Sequence, residues 1–113
     1  MNNRDRVRIL NNSLNYVRPS NRTGSHLNCI RLSPNKHQDR HNKKMIERCL
    51  EYLYTGTPFI TEPIFLNGER ADILLPTIPL IEEIMISETK ERFDKKNYPF
   101  RIVKIKDVKR RNL

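Results

Sequence analysis

Two apolar runs in the middle of the chain contain carboxylates, and this pattern limits the folds that the chain can adopt. The first run, ERADILLP, contains Asp72, and the second, LIEEIMIS, contains Glu82 and Glu83. Burying a lone carboxylate among Ile, Leu and Ala side chains costs on the order of several kcal/mol. Each acid therefore needs a partner, which is a cation, a basic side chain or a bound metal ion. The identity of that partner is the functional question that the sequence raises.

The sequence around the first run predicts a β-hairpin over residues 58–75. Its strands are PFITEPIFL and ERADILL, and Asn67-Gly68 between them is the strongest short-range hairpin signal in a sequence. A turn bounded by Pro76 and Pro79 follows, and the second run predicts a third strand. Both alternating sets of positions in that strand are largely apolar, so we expect it to be buried on both faces of the sheet.

A helix is predicted before the hairpin, from about residue 34 or 36 to Tyr54. Ser33 is a suitable N-cap with Pro34 at the first helical position, and Gly56 is a suitable stop. The apolar positions of this helix follow the helical repeat and form one stripe, which we expect to pack on the sheet. They are Met45, Ile46, Cys49, Leu50 and Leu53.

A second, shorter helix is predicted over SETKERFDKKN, and YPFRIVKI is predicted to close the sheet as a fourth strand. A strand, a helix and a strand in this order favour a right-handed parallel crossover. The element order is then αβββαβ. It predicts an α/β fold in one domain over residues 36–106, with a mixed four-stranded sheet flanked by helices.

The chain is strongly basic, with 22 Lys and Arg against 13 Asp and Glu and a net charge of +9. Residues 1–50 contain 11 of the basic and 3 of the acidic side chains, so the excess lies in the N-terminal half. This charge favours a polyanionic partner, although a merely solubilising surface would also explain it.

Residues 1–35 are predicted to form a basic, partly irregular arm, and residues 107–113 are predicted to form a basic tail. Arg4, Arg6 and Arg8 alternate with other residues. In an extended arm their guanidinium groups would lie on one side, which suits contact with phosphates.

Other features exclude several classes of protein. Cys29 and Cys49 have no metal-ligand spacing and are interpreted as free thiols of an intracellular protein. No apolar run approaches the roughly 20 residues needed to span a bilayer, and the longest is interrupted by Pro76 and Pro79. The N-terminus lacks the apolar core of a signal peptide, so a cytoplasmic or nuclear location is expected.

The element order and the acidic residues together resemble the PD-(D/E)xK nuclease superfamily, whose fold is called restriction-endonuclease-like. The similar features are a histidine on the first helix, an acid ten residues before Asp72, the segment GERADI and the segment IEEIMISE. These motifs are short, and the resemblance covers about residues 36–106. It implies a metal-dependent nuclease.

By this resemblance, Asp72 would be the central metal ligand, Glu83 the second carboxylate and the Ile84 carbonyl a backbone ligand. Carboxylate and carbonyl oxygens suit Mg²⁺ or Mn²⁺. The metal would neutralise charge on the phosphoryl oxygens and lower the pKa of the attacking water. Glu62 and His41 would be possible additions to this set. Nucleic-acid contacts are expected from Arg4, Arg6, Arg8, Arg40, Lys43, Lys44 and Ser87.

The motif lysine of the family is missing. It would stand two residues after the second acid, where this chain has Met85, a side chain that carries no charge. Lys90 and Arg92 on the predicted second helix, or Lys104 on the last strand, are the available substitutes. Of these, Lys90 is predicted to be a catalytic residue.

Each candidate also has a purely structural explanation. Asp72 could form an ordinary ion pair with Arg70 on the same strand, and Glu83 could pair with a basic residue from the arm. His41 could be a plain exposed helical residue. These explanations stay open at the level of the sequence.

The place of Glu62 depends on the length of the hairpin loop. With Asn67-Gly68 as a two-residue loop, Pro63 opposes Asp72 and Glu62 faces the other way. One extra loop residue would bring Glu62 onto the face that carries Asp72.

The sequence therefore predicts a metal-dependent nuclease or nucleic-acid-processing protein, with DNA as the expected substrate. A chain this small often completes its site by dimerising, so a homodimer is expected. Two other functions remain open. One is a catalytically inactive protein of the same fold that binds nucleic acid. The other is a structural or assembly protein with a basic arm, whose acids pair with Arg or Lys.

Overall fold

The computed structural model describes residues 2–22, 26–86 and 97–106. These residues form a mixed α/β fold with one sheet. The sheet order is β1-β2-β3-β4, in which β1/β2 and β2/β3 are antiparallel and β3/β4 is parallel. The predicted mixed four-stranded sheet and its parallel last pair are confirmed. The elements are α1 (Asn3–Leu14), α2 (Asp39–Thr55), β1 (Ile60–Thr61), β2 (Ile73–Leu75), β3 (Leu80–Met85) and β4 (Arg101–Lys106).

Residues Asn3–Leu14 form helix α1, so the predicted partly irregular arm is regular over these residues and is not extended there. The Asn2 side chain caps the helix by accepting a hydrogen bond from the Asp5 backbone N–H at 2.9 Å. The negative charge of Asp5 in the first turn also favours the helix. A helix turns about 100° per residue, so Arg4 and Arg8 share a face and Arg6 lies on another. The three guanidinium groups therefore do not form one row.

The segment after α1 belongs to the core of the same domain. Val17 is fully buried and forms a β-bridge with Phe65, and Leu27 forms one with Ile60. The buried Asn21 side chain accepts a hydrogen bond from the Ile64 backbone N–H at 2.8 Å. Residues before the predicted boundary at 36 thus pack on the first strands of the sheet.

Helix α2 confirms the main predicted helix and corrects its start. The Asn35 side chain, rather than that of Ser33, caps the short 3-10 turn Lys36–Gln38 that leads into α2. Gly56 ends the helix with a left-handed φ of 68°, which a glycine adopts without steric cost. Of the predicted apolar stripe, Met45 and Cys49 are buried, whereas Ile46 and Leu53 are exposed.

The sheet separates two apolar clusters. One lies between the sheet and α2, and its buried members include Met45, Cys49 and Ile84. Burial raises the pKa of the Cys49 thiol to about 12. Within the described residues, neither Cys29 nor Cys49 forms a disulfide. The other cluster lies on the opposite face, and its members are Val17, Ile60, Phe65, Ala71, Leu74 and Ile81. As predicted, β3 is buried on both faces over Ile81 to Ile84.

The hairpin loop has three residues rather than the predicted two. The Phe65 N–H donates to the Glu69 carbonyl at 2.8 Å, and the Gly68 N–H donates to the Phe65 carbonyl at 2.9 Å. Gly68 has a φ of 89°, the left-handed conformation that such a loop requires at this position. The extra loop residue is Leu66. It sets the register Ile60↔Leu74, in which Glu62 opposes Asp72.

Several predictions fall outside the described residues. The predicted second helix lies outside them except for its last residue, Asn97. Ser87, Lys90 and the basic tail over residues 107–113 lie outside them as well. Among the described helices, none is long and apolar enough to cross a membrane.

Candidate functional site

The candidate site lies where β2 and β3 stop pairing as regular strands. Their register runs from Leu75↔Leu80 to Ile73↔Glu82, and continuing it by one residue brings Asp72 opposite Glu83. At this point side chains replace the backbone ladder. Glu83 Oε1 accepts a hydrogen bond from the Asp72 N–H at 2.8 Å, and Asp72 Oδ2 accepts one from the Ile84 N–H at 2.7 Å.

These two bonds explain part of why acids occupy these positions. A buried backbone N–H that loses its strand partner must find another acceptor. Asp72 and Glu83 provide those acceptors for each other's strand, so the two carboxylates close the end of the β2/β3 ladder. Glu83 is only 3% exposed.

His41 joins the two acids from the first turn of α2. Its Nε2 lies 3.1 Å from Asp72 Oδ1, and the two side chains are 17% and 19% exposed. The site therefore draws residues from α2, from the entry to β2 and from β3. The structure brings together His41, Asp72 and Glu83, which the sequence selected as candidates from positions up to 42 residues apart.

Tyr98 is a member of the site that sequence reasoning missed. Its hydroxyl lies 3.2 Å from Glu83 Oε1 and 2.9 Å from the Arg70 carbonyl oxygen, and its ring packs edge-on against Phe65. Burial raises the pKa of Tyr98 well above its usual range, and the nearby Glu83 charge raises it further. The hydroxyl therefore stays protonated and donates. The available signal was a tyrosine at the start of an apolar strand, since a buried hydroxyl needs a partner.

Glu62 lies beside Asp72 in the backbone. Its N–H donates to the Asp72 carbonyl at 2.8 Å, and its own φ is 49°. A non-glycine residue in this left-handed region costs on the order of 1 kcal/mol, and such residues are concentrated at functional sites. The three-residue hairpin loop thus gives Glu62 the position opposite Asp72 that the predicted two-residue loop would have denied it.

Glu82 lies on the other face of the sheet and has a basic partner. Arg48 binds its carboxylate through two nitrogens, at 3.1 and 2.8 Å, and the Tyr52 hydroxyl donates to the same carboxylate. The Glu82 side chain is 4% exposed. The hydrogen bond to Glu82 raises the pKa of Arg48, and burial is the main cause that raises the pKa of Tyr52. This network fixes α2 to β3, and sequence reasoning had not paired these residues.

The basic residues proposed for nucleic-acid contact are spread over the two helices. Lys43 is exposed and pairs with Asp39 at 2.9 Å, and Lys44 pairs with Glu47 at 3.1 Å. Arg8 pairs with Asp5 at 3.3 Å and is 70% exposed. These contacts join neighbouring turns of one helix. Arg8 and Lys43 remain largely accessible to solvent, whereas the Lys44 side chain is only 19% exposed.

The donor types of the site fit a divalent cation, but their present arrangement does not yet form a complete ligand set. Within the described ranges, no three His, Cys, Asp or Glu side chains are grouped so that they could hold a metal ion. Both Asp72 oxygens and Glu83 Oε1 are engaged in the hydrogen bonds described above. A bound cation would have to replace some of them.

Comparisons of the chain with models of protein families, with characterised proteins and with solved structures found no match.

Proposed function

We propose that this protein is a metal-dependent nuclease with a restriction-endonuclease-like fold, and that DNA is its substrate. The observation that supports this most directly is the meeting of His41, Asp72 and Glu83. They come from three separate elements. His41 and Asp72 form a partly accessible pair, and the nearly buried Glu83 bonds the backbone of Asp72. A histidine beside two carboxylates is suited to proton transfer or metal binding.

The residues that would hold the cation are Asp72, Glu83 and the Ile84 carbonyl, with His41 beside them. When bound, the metal supplies charge neutralisation at the phosphate and a water molecule of lowered pKa. Mg²⁺ prefers oxygen ligands and keeps several waters, so two carboxylates and a carbonyl are sufficient for it. The imidazole of His41 makes Mn²⁺ a good alternative.

The surrounding contacts would hold the acids in place before the substrate binds. Tyr98 and the Asp72 N–H both donate to Glu83 Oε1, which orients that carboxylate. Arg48 lies two helical turns after His41 on α2, and its bond to Glu82 fixes the helix that carries the histidine. A site supported by such neighbouring contacts loses less entropy when it binds a metal or a substrate.

The basic character of the chain supports a nucleic-acid substrate. The net charge of +9 would attract a phosphate backbone, and exposed cations on α1 and α2 would contact it. We propose that a homodimer, rather than a single chain, forms the substrate groove, because one small domain offers a short contact surface.

An activity assay with matched histidine variants tests the proposal. Plasmid, single-stranded and branched DNA are incubated with the protein in Mg²⁺ or Mn²⁺. We expect cleavage that falls about 100-fold or more in Asp72→Asn and His41→Ala. His37→Ala is the control, because His37 lies one turn earlier and is exposed. Thermal unfolding of each variant separates loss of activity from loss of fold.

A second function has its own support. Asp72, Glu82 and Glu83 each have a partner within the protein: His41 and the Ile84 N–H for Asp72, Tyr98 for Glu83 and Arg48 for Glu82. This favours a nucleic-acid-binding protein without catalysis. Salt-sensitive DNA binding without cleavage under any metal condition would establish this second function and reject the first.

A further inference from the structure

The register of the parallel pair β3/β4 brings two lysines beside the acidic strand. Glu83 is paired with Lys104 and Met85 with Lys106. Residues paired in register on neighbouring strands project to the same face, and their strands are about 4.8 Å apart. Lys104 therefore emerges next to Glu83, on the face that also carries Ile81 and Ile102.

Asp72, Glu83 and Lys104 form one row across three strands. Asp72 lies opposite Glu83 at the end of the β2/β3 ladder, and Glu83 is paired with Lys104 on the other side. Glu83 is 3% exposed, whereas Lys104 is exposed. A lysine can extend its apolar stem along the sheet and still keep its ammonium group near water.

The charges in this row explain what the lysine contributes. Two ionised carboxylates joined through backbone hydrogen bonds repel each other, and burial increases the cost. Met85, the residue two positions after Glu83, supplies no charge. The neighbouring strand provides a positive charge at Lys104, which is paired with Glu83 itself. Lys106 lies two residues further along the strand and is paired with Met85.

We propose that Lys104 is a positioning residue that acts through Glu83 and supplies positive charge to the acidic site from β4. Its effect on cleavage rests on the proposed nuclease function. Its electrostatic coupling to Glu83 does not, because that coupling would exist in a binding protein as well. The two parts can therefore be tested separately.

The coupling is measured by a double-mutant cycle at low salt, in which thermal unfolding is followed in the full-length chain. We expect Lys104→Met to lower the Tm, and we expect this loss to shrink by half or more in a Glu83→Gln background. Lys106→Met is the matched control and should cause the same change in both backgrounds. Equal losses from Lys104→Met in both backgrounds would overturn the inference.

The contribution to cleavage is measured with the same lysine variants in Mn²⁺. We expect Lys104→Met to lower kcat about 100-fold with KM for DNA nearly unchanged, and Lys104→Arg to restore part of the rate. Lys106→Met should cleave normally. If Lys106 rather than Lys104 is required, the assignment is wrong. If no variant or wild-type protein cleaves, the nuclease proposal fails and the coupling experiment alone decides on Lys104.

Discussion

At the scale of single residues, hydroxyl groups hold the acids on both faces of the sheet. Tyr98 donates to Glu83 on one face, and Tyr52 donates to Glu82 on the other. A tyrosine buries a large apolar ring and still offers a donor that stays protonated at neutral pH. This combination suits a carboxylate at the edge of an apolar core, because the ring excludes water while the hydroxyl satisfies the oxygen.

The role of Tyr98 can be tested through the pH dependence of stability. Its pKa is raised in the folded state, mainly by burial and then by Glu83. Below the unfolded-state pKa of about 10, both states keep the proton and stability is complete. Above it the unfolded state ionises first, so stability falls as pH rises. We expect Tyr98→Phe to make this alkaline fall less steep and to cost about 1 kcal/mol at pH 7.

Urea unfolding between pH 7 and 11 gives the measurement for this variant. Tyr54→Phe is the control, because Tyr54 is 82% exposed. The Tyr54 variant should reproduce the wild-type curve at every pH. If Tyr98→Phe also reproduced it, the Tyr98 hydroxyl would have no part in holding Glu83. Part of the loss of stability at alkaline pH should remain in every variant, because burial raises the pKa of Tyr52 as well.

At the scale of secondary structure, the contact of α2 with β3 determines where His41 lies. The contact consists of an apolar part around Met45 and Cys49 and of the Arg48–Glu82 ion pair. Apolar packing alone tolerates sliding and rotation of a helix. A two-point bond between a guanidinium and a carboxylate fixes the rotation. The position of His41 against Asp72 therefore depends on the Arg48–Glu82 pair, which lies on the face of the sheet opposite Glu83.

Removal of the arginine should be costly because it leaves a buried charge. We expect Arg48→Met to lower the free energy of unfolding by about 3 kcal/mol, the lower end of the range for buried pairs, since Arg48 is 22% exposed. Glu82→Gln in the same chain should recover part of the loss. Lys43→Met is the control, because Lys43 is 74% exposed in its pair with Asp39, and it should cost well under 1 kcal/mol.

Urea denaturation followed by circular dichroism measures these free energies. An Arg48 variant as stable as the Lys43 variant would mean that the ion pair does not anchor α2. The chemical shift of the His41 ring gives a second reading. It should change in Arg48→Met and remain unchanged in Lys43→Met, because only the first variant loosens the helix that carries the histidine.

Periodicity made several elements predictable, and contacts between distant residues made the rest unpredictable. The repeat of Met45 and Cys49 predicted α2, and the apolar run before Met85 predicted β3. Helix α1 was missed because its sequence is polar and its stability at the start depends on the cap at Asn2. The hairpin loop was predicted one residue too short, because Asn-Gly also occurs in three-residue loops whose glycine is left-handed.

The candidate site was predictable in its acids and not in its partners. Carboxylates inside apolar runs are conspicuous, so Asp72 and Glu83 were selected from the sequence alone. Tyr98 and Arg48 were not, because nothing in local sequence indicates which residue a crossover or a helix will bring to an acid 15 or 34 positions away. The pairing of Lys104 with Glu83 likewise depends on the register of β3 and β4, which only the folded sheet determines.

At the scale of the whole molecule, the N-terminal segment makes the second face of the sheet possible. Helix α2 covers one face, and the cluster on the other face needs apolar cover of its own. Val17 and Leu27 supply part of it through their bridges to Phe65 and Ile60. Ala71, the residue directly before Asp72, belongs to that second cluster. A segment that looked like a separate basic arm thus supports the site through the core beneath it.

A pair of valine variants tests whether the N-terminal segment is part of the cooperative unit. Val17 is fully buried and Val7, on α1, is 54% exposed. We expect Val17→Ala to lower the free energy of unfolding by about 2 kcal/mol, the cost of removing two methyl groups from a packed core. Val7→Ala should change it by less than about 0.5 kcal/mol, because alanine favours the helix and little surface is buried there.

Both values come from urea denaturation monitored by tyrosine fluorescence and by circular dichroism. Equal, small effects would restore the picture of an arm that is independent of the domain. A large effect of Val17→Ala in one common transition would mean that the fold, and the acidic site with it, depends on residues well before position 36.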